Sequence, residues 1–224
     1  MKIHIFDQGS DQWEQIRKGK ITASQFANLI TPSNLKISNS VSAHKTIAKI
    51  IASKIAFRDS DSFETYSMAN GIECEPRARF LYQEIYHKKV KEVGFIEDET
   101  GYAGFSPDGL IDDGMIEIKT QCQKEHFYCK LYGFDCWLSK YKPQILFSMA
   151  INNEIQWCDC ISYNEDFKDT ANKIIVHRYY RDEEEIAKIR IAINYWIEHL
   201  KEKSIEIGKN IERRLSVPAG EGNF

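Results

Sequence analysis

The stretch GFSPDGLIDDGMIEIKTQ, residues 104–121, decides how the chain is read. Asp108 leaves an apolar run at Pro107-Asp108-Gly109, residue types that bend a chain sharply. Nine residues later comes the triplet Glu117-Ile118-Lys119. Side chains alternate faces along a strand, so Ile116 and Ile118 point one way and Glu117 and Lys119 the other. With Ile116 and Ile118 facing a core, the charged pair sits where burial costs several kcal/mol unless each charge has a partner. A hairpin returns Asp108 beside Glu117 and places two carboxylates together. A divalent cation resolves that conflict, and Mg²⁺ suits one or two carboxylates completed by water and phosphate oxygens. Lys119 is then placed to orient or deprotonate a water, or to neutralise developing charge. The plain alternative is a surface hairpin with a solvated Glu–Lys pair. The bare triplet does not choose between these; the order Pro-Asp, short hairpin, Glu-x-Lys is more specific.

Around this hairpin the chain changes character. Residues 10–19 read as a short helix, with Ser10 and Asp11 as cap residues and Gly19 at its end. TASQ at 22–25 is a capping box, and the polar stretch 31–42 reads as a loop. Ile47, Ile50, Ile51 and Ile55 have helical spacing and mark a core-facing helix to about Phe57. A second helical region covers 62–88, with Pro76 expected to kink or restart it. Residues 89–99, 101–113 and 114–121 read as consecutive antiparallel strands, followed by helices near 123–131 and 141–152. Two more strands, 154–163 and 172–180, lead to a long helix from Asp182. Glu183, Glu184 and Glu185 in its first turn suit the helix dipole. Ile186, Ile189, Ile193, Trp196, Ile197 and Leu200 form its apolar face. No repeat or linker divides the chain. The expectation is a single α/β domain over 1–224, a central mixed β-sheet flanked by helices, with 216–224 as a mobile tail.

A chain of 224 residues, 42% hydrophobic and 28% charged, belongs with ordinary globular proteins that bury a substantial core. The net charge of −3 does not advertise a nucleic-acid binder, but affinity for phosphate depends on local patches. Six cysteines without C-x-x-C or paired histidines at zinc spacing point to reduced, mostly buried thiols rather than a metal cluster or a disulfide scaffold. No apolar run approaches the ~18 residues of a membrane span, and MKIHIFDQGSDQW lacks the apolar core of a signal peptide. The expected location is therefore the cytoplasm, that of a host cell if the gene is viral, with no membrane partner.

The Asp108, Glu117, Lys119 pattern resembles the PD-(D/E)xK nuclease superfamily, whose core is restriction-endonuclease-like. WEQIRKGKITAS at 13–24, GIECEPRARF at 71–80, GFSPDG at 104–109, IEIK at 116–119 and PQILFSM at 143–149 narrow the resemblance. In that order they resemble the phage lambda exonuclease family, also called YqaJ-like viral recombinases, over roughly residues 8–165. The resemblance implies a Mg²⁺-dependent 5′-to-3′ exonuclease, with Mn²⁺ able to substitute. Such an enzyme digests one strand of duplex DNA from its end, forms a ring-shaped homotrimer and works with a single-strand annealing protein. It further implies Asp108, Glu117 and Glu75 as metal ligands, Lys119 as the catalytic lysine and Gln144 as the helical glutamine beside the site. Glu73 is a rival to Glu75; the spacing from Gly71 through Ala78 favours Glu75. Arg17, Ser24 and Ser106 match the family's pocket for the 5′-terminal phosphate, which agrees with an Arg fork and hydroxyl donors as anion ligands. The alternatives are a restriction-type or RecB-like endonuclease and a non-catalytic DNA-end-binding module.

Overall fold

The computed structural model describes residues 1–56 and 66–215. The expected helix end at Phe57, the start of the second helical region at 62–65 and the tail 216–224 lie outside the described residues. The chain opens with strand β1 (Lys2–His4), helix α1 (Asp11–Arg17), strand β2 (Ile21–Thr22), helix α2 (Ala23–Phe26), strands β3 (Ile30–Thr31) and β4 (Lys36–Ile37) and helix α3 (Val41–Ile55). Helix α4 (Tyr66–Tyr86) leads into strands β5 (Phe95–Glu97), β6 (Ala103–Phe105), β7 (Gly109–Ile111) and β8 (Gly114–Thr120). Helices α5 (Gln123–Tyr132) and α6 (Asp135–Ile151), strands β9 (Trp157–Tyr163) and β10 (Ile174–Tyr180) and helix α7 (Glu183–Leu215) complete it.

The architecture is mixed α/β, as expected, but the hydrogen-bond ladder divides the strands into two four-stranded sheets ordered β1-β5-β6-β2 and β10-β9-β8-β7. Both are mixed, because β2 lies parallel to β6 and β8 parallel to β9. The division falls inside the stretch read as one strand over 101–113. Ser106-Pro107-Asp108 separates β6 from β7, and Pro107 has no N–H to extend a ladder. The 31–42 segment is also more ordered than expected, since β3 and β4 pair around a turn with Leu35 at φ 58°. The short β1, pairing with β5, was missed.

Pro76 neither restarts nor ends its helix: α4 continues through it, and α6 likewise continues through Pro143. A proline costs the helix one hydrogen bond. In α6 that cost is met by burial, since Pro143 and every residue from Ile145 to Met149 are buried. Helix α6 begins at Asp135 rather than near 141. The apolar stripe of α7 is buried throughout, and Trp196 donates its indole N–H to the Leu29 carbonyl at 2.7 Å. All six cysteines are free, and four are buried. Among the described residues no helix is long and apolar enough to cross a membrane.

Strand β8 is covered on both faces. Ile116 and Ile118 pack with Cys74, Ala78 and Tyr82 of α4, while Met115 joins the core containing Ile145 and Leu146 of α6. Glu117 and Lys119 share the parity of Met115 and so stand on the α6 side.

Candidate active site

The β7–β8 hairpin turns at Asp112 and Asp113, with Asp112 at φ 49°, a left-handed conformation that Asp tolerates better than most residues. Pairing on both edges makes β8 an interior strand, so its backbone cannot slip. Asp108 lies just before β7, and its Oδ2 accepts the Ile118 N–H at 2.6 Å. One hydrogen bond thus fixes the first carboxylate against the strand that carries the second. Gly109 lets the chain pass there: a Cβ would sit 2.1 Å from Val90 Cγ1. Gln8 steadies the same turn from outside by donating to the Pro107 carbonyl at 2.9 Å.

Glu117 is only 2% exposed. Its Oε1 accepts from Lys119 Nζ and, at 2.6 Å, from Gln144 Nε2 of α6. Lys119 Nζ also lies 5.3 Å from the Tyr141 ring centroid. Glu75 reaches the cluster from α4, paired with Arg79 four residues on. Arg79 is itself buried; it donates to the Asp108 carbonyl at 2.8 Å and to Glu92 at 2.5 Å. Glu73 lies exposed on α4 and pairs with Arg77 instead.

The electrostatics follow from three carboxylates in a poorly solvated corner. Burial, with the neighbouring charges of Asp108 and Glu117, pushes Glu75 up to about 8 against the opposing pull of Arg79. Burial pushes Glu117 up to about 7, with Asp108 adding to the rise and Lys119 opposing it. Asp108 is raised by burial, against Lys119 and the Ile118 N–H. Burial works to lower Lys119, but Glu117 and Asp108 outweigh it and hold the ammonium well above its ordinary value.

A second cluster begins two residues upstream of Asp108. Ser106 Oγ accepts from Trp13 Nε1 at 2.8 Å and from Arg17 Nη1 at 3.3 Å. The Arg17 guanidinium lies 4.0 Å over the Trp13 ring. Trp13 and Arg17 meet because they stand four residues apart on α1, whose N-cap Ser10 accepts the Trp13 N–H. Among the described residues Arg17 has no carboxylate partner, and burial lowers its pKa to about 10. Ser24 is exposed, and the structure does not bring its side chain into contact with Arg17 or Ser106. Its Oγ lies 3.3 Å from Thr22 Oγ1. Parallel pairing of Thr22 with Gly104 nonetheless sends the Ser24 and Ser106 segments out of the sheet side by side.

The sequence reading gave no role to two residues that organise these clusters, Trp13 and Arg79. The spacings Trp13–Arg17 and Glu75–Arg79, each i,i+4 on a helix, are the signals that could have found them. A cleft of about 650 Å³ has Trp13, Ile72, Glu75, Pro76 and Arg79 in its walls, without Arg17, Ser106, Asp108 or Glu117.

Among the described residues no group of three or more His, Cys, Asp or Glu side chains is already drawn together as a metal cage. The carboxylates instead hold protein donors. This donor set is all oxygen, with two carboxylates fixed by one strand and a third from α4. It fits a hard cation that takes most of its ligands from water and phosphate, and it fits zinc poorly.

The model of the YqaJ-like viral recombinase domain matches residues 12–154. The chain belongs to that family. An alkaline exonuclease from Laribacter hongkongensis, LHK-Exo, has a solved structure similar to this one, with a TM-score of 0.79 and 28% identity over 91% of this chain and 99% of that one. The same enzyme in complex with dAMP matches equally well. A phage-related exonuclease from Haemophilus somnus 129PT shares the fold at a TM-score of 0.65 and 14% identity, over 87% of this chain and 99% of that one. No curated protein matches. The family match spans Trp13, Arg17, Ser24, Glu75, Ser106, Asp108, Glu117, Lys119 and Gln144 alike.

Proposed function

We propose that this nuclease of the lambda-exonuclease type digests one strand of linear duplex DNA in the 5′-to-3′ direction. It starts from 5′-phosphorylated ends, uses Mg²⁺ with Mn²⁺ able to substitute, and leaves 3′ single strands for annealing. One observation carries the reading: the carboxylate corner and Arg17, which among the described residues has no carboxylate partner, share a single turn, Ser106-Pro107-Asp108. Two residues of chain span at most about 7 Å, the scale of one nucleotide step. A terminal phosphate held by Arg17 and Ser106 would therefore place the next phosphodiester at Asp108.

Asp108 and Glu117 would hold the cation, with Glu75 closing the site from α4. A divalent cation bound there supplies Lewis acidity at the phosphoryl oxygen and lowers the pKa of a coordinated water. Gln144 keeps Glu117 Oε1 oriented from α6. Lys119 offsets negative charge on the phosphoryl group as the bond breaks. Arg17 and Ser106 bring each new terminal phosphate into register after a cut. A ring-shaped homotrimer, DNA ends as substrate and a single-strand annealing partner belong to the same proposal; they are supported by membership of the family alone.

The deciding experiment offers linear duplex, circular duplex and single-stranded DNA with and without Mg²⁺. Mononucleotide release from linear duplex only, and only with the cation, is expected. Cutting of the circle would replace the proposal with an endonuclease. Retained end binding with no nucleotide release would replace it with a non-catalytic end-binding module.

A further inference from the structure

The Ser106 hydroxyl has three hydrogen-bonding positions, two accepting and one donating. An indole N–H and a guanidinium can only donate. Trp13 Nε1 at 2.8 Å and Arg17 Nη1 at 3.3 Å therefore take the two accepting positions. The hydroxyl proton is left over, and among the described residues it has no acceptor. Ser24 differs, because it has one at home: the Thr22 hydroxyl gives its proton to Gln25 Oε1 at 2.9 Å and can accept from Ser24. Trp13 also supports the guanidinium, whose carbon lies 4.0 Å above its ring. Stacking of this kind favours Arg and leaves the edges of its fork free.

We propose that Trp13 is a positioning residue that makes Ser106 a committed donor and holds the Arg17 fork beside it, so that the pocket selects an anionic end group with several acceptor oxygens. The proposal rests on the reading of Arg17 and Ser106 as the 5′-phosphate pocket and adds the origin of its selectivity. A phosphate monoester dianion offers three terminal oxygens that accept, enough for both Ser106 and the Arg17 fork. A 5′-hydroxyl can take the Ser106 proton with its single oxygen, but it brings no charge and no further acceptor for the Arg17 fork. Unmet polar groups of this kind are the strongest source of discrimination between a ligand and its analogue.

The test measures kcat/KM on duplexes with 5′-phosphate and 5′-hydroxyl ends and takes their ratio. Trp13→Phe keeps a ring under Arg17 and removes the N–H. It lowers the ratio by about 2- to 10-fold, the range of one neutral hydrogen bond. Trp13→Leu also removes the platform and lowers it further. Ser106→Ala lowers the ratio by at least as much as Trp13→Phe, and adding Trp13→Phe to Ser106→Ala changes it by less than about 2-fold, because Trp13 acts through the hydroxyl. A wild-type enzyme with equal rates on both ends overturns the phosphate pocket and this inference together. A wild-type preference that survives Trp13→Phe intact, or a Trp13→Phe effect that persists in the Ser106→Ala background, overturns the inference alone. If the Trp13 variants do not fold, Ser106→Ala still decides: a wild-type ratio in that variant refutes it.

Discussion

Replacing Arg17 by alanine tests the functional reading most directly. The guanidinium spends one N–H on Ser106 at 3.3 Å and lies 4.0 Å over Trp13. Burial disfavours the charge, pulling its pKa down to about 10. A cation held without a carboxylate partner is destabilising for the empty protein and favourable for one that binds an anion. A charge-assisted contact contributes about 1.5–3 kcal/mol, and 1.4 kcal/mol is a factor of ten, so losing it costs about 10- to 150-fold. That loss should fall on 5′-phosphorylated ends only. The assay is the initial rate on phosphorylated and hydroxyl ends, before and after the substitution, with the melting temperature of Arg17→Met beside it. The sign of the second measurement follows from the lowered pKa: the charged form is the one the fold disfavours, so an apolar side chain of similar length leaves melting unchanged or raises it. A wild-type enzyme indifferent to the end group refutes the argument. So does an Arg17→Ala enzyme slowed equally on both ends.

Asp108→Ala and Glu117→Ala should each abolish cleavage while DNA-end binding by gel shift persists, and near-normal turnover in either would remove that carboxylate from the site. Lys119→Ala should retain cation binding but lose two or more orders of magnitude in rate, as for one preorganised electrostatic group; a loss below about tenfold would make Lys119 a structural partner of Glu117. Burial and crowding raise Glu75, Asp108 and Glu117, so the fold without cation binds more protons than the unfolded chain from the ordinary carboxylate range up to about 8. Stability of the cation-free protein should therefore decline as pH rises through that window, while Mg²⁺ affinity rises about tenfold per pH unit for each proton displaced. Thermal melts with Mg²⁺ at about pH 6 and 8.5 read this, and equal Mg²⁺ stabilisation at both would refute it. Light scattering should find a trimer at working concentration, and a monomer that still degrades long DNA processively would contradict the ring.

What could be read from the sequence was what is local. Asp108, Glu117 and Lys119 lie within one hairpin, so turn chemistry and alternation were enough to place them together. The bare triplet left open whether its charged face is buried or solvated; α6 closes that face and buries Glu117, which no pattern within 104–121 announces. Gln144 and Glu75 come from helices distant in the chain, so only the resemblance singled them out, although their contacts with Glu117 and Arg79 are plain in the fold. The split into two sheets was hidden because β6 and β7 read as one run of strand-forming residues. Helix α4 carries Pro76 internally because tertiary packing outweighs the one hydrogen bond a proline removes. Trp13 sat inside a quoted motif with no role until Ser106, distant in sequence, was seen against its indole.

The acidic corner has a domestic life of its own. Arg79 holds Glu75 and the Asp108 backbone, Lys119 and Gln144 hold Glu117, and the Ile118 amide holds the Asp108 carboxylate. Nothing from solution is required to keep these charges in place. The fold should therefore hold where divalent cations are scarce, unlike domains that collapse when stripped of zinc. If the corner takes a cation as proposed, binding becomes an exchange of partners at a finished site, and a chelator should silence the protein without unfolding it.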